Sequence, residues 1–370
     1  MKVPFVDLEI QIGALKKELD SAIASVISEH AFIGSLKNKH ILKFQESFAD
    51  YIGVKHVVAC GNGTDALEIL IKSLGIGPGD EVIVPALSWI ATSEAVSNMG
   101  AKAIFVDIEH DYYTIDPKKV EEKITSKTKA IIPVHIYGHP ADMKNIMEIA
   151  SRNNIFVIED AAQAHGAEID GQKVGSIGIT GAFSFYPGKN LGAFGDAGSM
   201  VTNSDKIALT ARMISQHGQP GAKHKHTIEG RNSRMDGLQA AILNVKLPHL
   251  EKWTESRIRI SKEYIDLLKG LPIDLPETRS GCRHVFHLFV IRTNKRDELQ
   301  DFLNIKGVST SIQYPKALPF LDAYAHADHL KEDFPVAASY QDQILSLPMY
   351  PELKRNQIEY VCECIREFFF

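Results

Sequence analysis

Apolar and polar positions change rhythm twice along this chain. Over residues 14–28 (ALKKELDSAIASVIS) apolar side chains recur at helical spacing, which predicts an amphipathic N-terminal helix. From about residue 55 to 205 the pattern becomes a series of short continuous apolar runs: VVAC (57–60), EVIVP (81–85), AIFVDI (103–108), AIIPVHIY (130–137), IFVIED (155–160), AFSFYP (182–187) and SMVTN (199–203). Helical patterns lie between several of them, at DALEILIKSLG (65–75), ATSEAVSNMG (91–100) and DMKNIMEIASRN (142–153). Strands that are apolar throughout suit a sheet covered on both faces. Their alternation with helices predicts an α/β fold with a mostly parallel central sheet and helices on each side.

The rhythm changes again after residue 233. Residues 233–269 read as long helix interrupted near Pro248. The strand VFHLFVIR (285–292), a helix starting at Lys295-Arg296-Asp297, the strand VSTSIQ (308–313) and two closing helices predict a small α/β lobe. The expected organisation is a large α/β domain over residues 1–250, with the N-terminal helix, and a small C-terminal α/β domain over 251–370. An architecture of this kind carries no function by itself.

Composition narrows the classes. The chain has 370 residues and a formal net charge of −5, so no overall positive field would draw in nucleic acid or anionic lipid. Its densest basic stretch, Lys223-His224-Lys225-His226, is short. The four cysteines (Cys60, Cys282, Cys362, Cys364) form no CxxC pair and no metal-ligand spacing. No apolar run reaches the roughly 18 residues that a membrane span needs. The opening MKVPFVDLEIQ carries carboxylates where a signal peptide has its apolar core. A cytoplasmic protein, without nucleic-acid, membrane or metal partners, is expected.

In open α/β sheets ligands sit beyond the carboxyl ends of the strands. Four places at predicted strand ends carry candidate chemistry. Gly61-Asn62-Gly63-Thr64-Asp65 lies between a strand and a helix, where close backbone approach and free N–H groups can hold a phosphate, with Asp65 as cap or first-turn carboxylate; an ordinary capped turn reads the same way. Asp160, ending IFVIED, needs a positive partner such as a protonated ring nitrogen, an ion pair or a helix cap. Lys189 stands in the glycine-rich, apolar turn FYPGKNLG after a strand. Burial there disfavours its ammonium form and leaves an amine able to attack an aldehyde. Ser184, on the strand leading into the turn, can donate to a phosphate. Trp89 opens a helix after EVIVP and is either a stacking surface for a flat ring or a core side chain. A phosphate cradle, a stacking ring, a carboxylate and a reactive lysine together match what pyridoxal 5′-phosphate requires.

The segments GNGTDAL, EDAAQAHGA, FSFYPGKNLGAFGDAG and GRNSRMDGLQAAIL, in that order, resemble the DegT/DnrJ/EryC1/StrS sugar-nucleotide aminotransferases, a family of fold-type I, aspartate-aminotransferase-like enzymes. The likeness runs from PFVDL near the start to LSLPMYPEL near the end. It implies pyridoxal phosphate as cofactor, with Lys189 as imine lysine and acid/base, Asp160 on the pyridinium nitrogen and Gln163 on the phenolic oxygen. It also implies Gly63, Thr64 and Ser184 on the phosphate, Trp89 over the ring and Asn232 reaching the phosphate of a neighbouring subunit in a homodimer. The reaction implied is transfer of an amino group from L-glutamate to a nucleotide-linked keto sugar through pyridoxamine phosphate. The wording YPGKNLGAFGDAG resembles members acting at C3 of dTDP- or UDP-linked 3-keto sugars; amination at C4 is the alternative.

Substrate contacts are expected from Tyr186, His217, Lys223, Gln313 and Tyr314. Gln313 stands where the family usually has histidine, and Pro319 where a second histidine often falls, so the sugar preference is open. A non-catalytic protein keeping the fold would be expected to lack Lys189 or Asp160, and both are present. A nicotinamide enzyme would need a GxGxxG after an early strand, and none is there.

Overall fold

The computed structural model describes residues 1–34, 37–221 and 224–370. Its strands are β1 (His56–Cys60), β2 (Glu81–Pro85), β3 (Lys102–Val106), β4 (Thr128–Ile131), β5 (Phe156–Asp160), β6 (Glu168–Ile169), β7 (Gln172–Lys173), β8 (Thr180–Ser184), β9 (Gly198–Thr202), β10 (Cys282–Arg283), β11 (Phe289–Arg292) and β12 (Ile344–Leu347). The helices are α1 (Leu8–Ala14), α2 (Lys16–Ser28), α3 (Lys39–Ile52), α4 (Gly63–Ser73), α5 (Ala91–Asn98), α6 (Pro117–Glu122), α7 (Met143–Asn153), α8 (Asp205–Ser215), α9 (Gly237–Lys246), α10 (Leu250–Leu268), α11 (Arg296–Ile305), α12 (Pro335–Tyr340) and α13 (Arg355–Phe369).

Seven strands form the main sheet in the order β1-β9-β8-β5-β4-β2-β3. Only β9 runs against the others, pairing antiparallel with both β1 and β8. The α/β class with a mostly parallel sheet is therefore as the apolar runs predict. One apolar cluster packs α4, α5 and α8 on one face, and another packs α3 and α9 against Phe183, Phe185 and Val201 on the opposite face. The strands bury nearly every side chain because both faces are covered.

The predicted helices over 65–75, 91–100 and 142–153 correspond to α4, α5 and α7. The long helix breaks at Leu247–His249, around Pro248, into α9 and α10. Two apolar runs are shorter as strands than predicted. AIIPVHIY is strand only to Ile131, beyond which residues 136–138 turn back as a 3-10 helix with Tyr137 at φ 59°. VFHLFVIR is strand only over Phe289–Arg292, since Phe286 takes a positive φ of 45° that interrupts extension. VSTSIQ makes isolated bridges from Val308 to Val3 and from Ser311 to Ser346 instead of a strand. The partner of β11 is β12.

The C-terminal region has its own core, built from Ile260, Tyr264, Phe289, Leu299, Leu303, Ile358 and Val361, and Val3 from the N-terminus inserts into it. Among the described residues no helix is long and apolar enough to cross a membrane, and no group of three His, Cys, Asp or Glu side chains could hold a metal ion.

Candidate active site

Strand β5 delivers two adjacent carboxylates to opposite faces, as the two-residue period of a strand requires. Glu159 is fully buried and accepts N–H donation from Gly175 (2.7 Å), Ile177 (2.8 Å) and Gly178 (2.6 Å). It also meets His135 Nε2 at 3.0 Å. His135 Nδ1 accepts from Ala141 N (3.0 Å), so its proton lies on Nε2 and a neutral imidazole donates to Glu159. This saturated carboxylate anchors the strand end. Asp160 turns the other way, into a cavity, and accepts from Thr92 Oγ1 (2.9 Å) and Ala162 N (3.2 Å). Burial raises its pKa above the usual carboxylate value.

Lys189 lines the same cavity. Its turn is closed by Lys189 N donating to Tyr186 O (2.8 Å) and Ala193 N donating to Phe185 O (2.8 Å). A Cβ on Gly192 would lie 2.3 Å from Pro187 O, so the glycine is what lets the turn fold back on itself. Lys246 Nζ, from α9, holds Gly192 O at 2.6 Å. Burial pulls the Lys189 amine down to about 8, with the Asp160 carboxylate acting in the opposite direction.

The cavity, of about 680 Å³, opens between the carboxyl ends of β1, β2, β5 and β8. Asn62, Gly63, Thr64, Asp65, Trp89, Asp160, Gln163, Ser184, Tyr186, Lys189 and Tyr314 all line it. Asn62 caps α4 by accepting from Asp65 N (2.8 Å), which leaves the N–H groups of Gly63 and Thr64 without intrahelical acceptors. A Cβ on Gly63 would come within 2.8 Å of Ser184 Cβ, so any other residue would fill the notch between helix and strand. The notch suits a phosphate. The buried, charge-suppressed Asp160 suits a ring N–H that would restore its carboxylate form. These residues fit pyridoxal phosphate.

Trp89 is 58% exposed, which excludes the core-packing alternative; its ring stands 5.6 Å from that of Tyr314. Gln163 accepts from Tyr137 N (2.6 Å) and donates to Tyr314 Oη (2.9 Å). Asp65 borders the cavity, but its carboxylate is engaged by Arg231 Nη1 (2.9 Å), Ser233 Oγ (2.7 Å) and Asn62 Nδ2 (3.2 Å). That ties the 231–233 segment to the start of α4 and keeps a like charge off a phosphate.

Other expected residues stand outside. Asn232 and His217 are exposed away from the cavity. Gln313 faces the C-terminal lobe, where Ser346 Oγ donates to it (2.5 Å) and it donates to Ser311 Oγ (2.8 Å); in this chain its amide is a tether, not a cavity side chain. Lys223 lies outside the described residues. The sequence reading missed Thr92, Tyr137 and the His135–Glu159 pair. Thr92 stands at the start of α5, three residues after Trp89, whose carbonyl accepts from its N–H (3.2 Å), and that closeness in sequence is the available signal for it. A larger hollow, about 870 Å³, lies along β3 and residues 324–334, but Asp80, Glu81 and Asp333 offset its three lysines, and it lacks the cavity's convergence of polar groups.

A doubly covered, mostly parallel sheet whose strand-end cavity holds a depressed lysine, a buried carboxylate and the Gly63–Ser184 notch is that of a pyridoxal-phosphate-dependent aminotransferase. Residues 15–366 match the DegT/DnrJ/EryC1/StrS aminotransferase family, and the chain belongs to that family. It is 44% identical to a "Pleiotropic regulatory protein" of Geobacillus stearothermophilus, over 100% of this chain and 99% of that one. It is 43% identical to the dTDP-3-amino-3,4,6-trideoxy-alpha-D-glucose transaminase of Streptomyces venezuelae, over 99% and 96% of the two chains. Identity to the UDP-N-acetyl-3-dehydro-alpha-D-glucosamine 3-aminotransferase of Acidithiobacillus ferrooxidans is 42%, over 98% and 97%. The crystal structure of S. venezuelae DesV with a ketimine intermediate superposes with a TM-score of 0.96 at 42% identity, covering 99% and 98%.

Proposed function

We propose that the protein moves the amino group of L-glutamate to C3 of a nucleotide-linked 3-keto sugar, in two half-reactions at the cavity described above. The observation that carries this reading is the opposition of Lys189 and Asp160 in one cavity with the Gly63–Ser184 notch. When bound, pyridoxal 5′-phosphate supplies an aldehyde for amine exchange and a ring that takes up electrons as a proton leaves the amine-bearing carbon. Lys189 Nζ would hold the aldehyde carbon covalently between turnovers. Released as an amine with a pKa near 8, it would carry the proton between the amine-bearing carbon and C4′. Asp160 would hold the ring nitrogen in its protonated form and Gln163 the phenolic oxygen, while Trp89 would cover the ring. Gly63, Thr64 and Ser184 would bind the phosphate, with Asp65 positioning that helix start through Arg231. Tyr186 and Tyr314 are the cavity residues best placed to meet the sugar, and the family resemblance gives His217 and Lys223 as partners of the nucleotide diphosphate.

The same reading includes a homodimer, in which Asn232 reaches the phosphate held by the other copy. Large exposed apolar side chains support it: Phe32 (50%), Ile33 (58%), Tyr186 (59%) and Phe194 (38%). Phe32 and Phe194 both have backbone groups bonded to the start of α9, so this surface is shared. We place the protein in the cytoplasm, a location that suits its unpaired cysteines. We divide it into a large cofactor-binding domain over 1–250 and a small domain over 251–370. Two C3 aminotransferases with different nucleotides among the relatives support C3 and leave dTDP or UDP as the carrier.

The test is to incubate the holoenzyme with glutamate and a panel of dTDP- and UDP-linked 3-keto and 4-keto sugars, and to locate the new amine by NMR. An amine at C3 is expected. An amine at C4 would replace the regiochemistry proposed here, and no transfer to any sugar would overturn the reading.

A further inference from the structure

We infer that His287 is a positioning residue for the catalytic lysine: through Asn190 it fixes the Pro187–Gly192 turn to the segment 285–288 and so sets how deeply Lys189 is held in the cavity. The inference rests on the reading of Lys189 given above.

Asn190 follows Lys189 directly and is only 5% exposed. Its Nδ2 donates to Val285 O (3.4 Å), so its Oδ1 is the end that faces His287 Nδ1 at 3.1 Å. An amide oxygen can only accept, which places the His287 proton on Nδ1. Both ends of the Asn190 side chain therefore grip one short stretch of backbone and ring.

That stretch is itself fixed from behind. Arg257, a buried side chain on α10, donates from Nη1 to Phe286 O (3.2 Å), His287 O (3.3 Å) and Met349 O (3.0 Å). From the other side, Val285 N donates to Gly138 O (3.0 Å) and Leu288 N to Tyr137 O (3.2 Å). Tyr137 N in turn holds Gln163 Oε1. A Cβ on Gly138 would lie 2.8 Å from Val285 Cγ2 and 2.9 Å from His287 N, so the two segments are in direct contact. Four residues, 285–288, thus register both the lysine turn and the loop that orients Gln163. Removing the His287 donor leaves a buried Asn190 oxygen without a partner, and the turn can regain a partner only by moving toward water.

Lys189 reports this movement without any cofactor. In the full-length, cofactor-free protein, the rate at which Lys189 is acylated by a small anhydride is followed against pH by peptide mass spectrometry. The wild-type midpoint should lie near 8, where burial holds the amine. His287→Phe keeps a ring of similar size but no donor, and its midpoint should rise by about one unit as the amine regains water. His287→Asn returns an N–H near the Nδ1 position and should restore the midpoint; general loss of stability would not be rescued in this way. Asn190→Ser removes the other end and should give the same rise, which covers the case that His287→Phe does not fold. An unchanged midpoint in a folded His287→Phe or Asn190→Ser protein overturns the inference. A wild-type midpoint near the ordinary 10.5, or turnover by Lys189→Ala, would instead overturn the reading of Lys189 itself.

Discussion

At the base of the cavity, Glu159 accepts from three backbone N–H groups and His135, Asp160 accepts from Thr92 and Ala162, and Asn190 is held at both ends of its amide. At the rim, Trp89 and Tyr186 are more than half exposed, and farther out His217 and Asn232 lie exposed. The base side chains are fixed by hydrogen bonds within the protein, which limits the reorganisation that groups acting on the reacting atoms require. On the function proposed above, reaction type belongs to the first region and substrate choice to the second.

Substitutions at the base should therefore cost far more than substitutions at the rim. Lys189→Ala should lower kcat by at least about 10²–10⁴-fold, with no fall in thermal midpoint, since the buried amine it removes makes no hydrogen bond or ion pair among the described residues. Asp160→Asn should weaken cofactor affinity by about 2–5 kcal/mol, measured by fluorescence titration, because a buried charged partner is lost. Glu159→Gln should lower unfolding free energy by about 1–3 kcal/mol in denaturant titrations, as one amide oxygen replaces a carboxylate that meets four donors. His217→Ala and Tyr186→Phe should each change stability by no more than about 0.5 kcal/mol, with effects confined to KM for the sugar. If a rim change lowered kcat as much as Lys189→Ala, the division would fail.

Acid should act on the buried histidines. Burial holds His165 down at about 3 and His139 at about 4, against an ordinary value of 6.5. Below 6.5 the unfolded chain binds protons at these rings that the native protein refuses, so unfolding free energy should fall as pH drops from about 6.5 toward 4. His165→Phe should flatten that fall in pH-dependent denaturant titrations; an unchanged slope would remove His165 from the account.

Much of the base is legible in the chain. A continuous apolar run that ends on a carboxylate, as IFVIED does, or that leads into a glycine-rich turn with one lysine, places chemistry at a strand end before any coordinates exist. The long helix broken at Pro248 is legible for the same local reason. What escapes is set by distant contact. Thr92 meets Asp160 across 68 positions, and His135 meets Glu159 across 24. Gln313 could be read as a sugar contact because its neighbour Tyr314 faces the cavity, but its own amide is taken up by Ser346 and Ser311, which sequence spacing does not show. VSTSIQ looks like a strand by propensity, yet β12 takes the place beside β11.

Borohydride reduction of the holoenzyme followed by peptide mass spectrometry asks whether Lys189, and no other lysine, carries the cofactor. The account predicts one pyridoxyl-phosphate addition, on the peptide containing Lys189, and its absence after prior incubation with glutamate. An addition on a different lysine, or none on the Lys189 peptide, would contradict it.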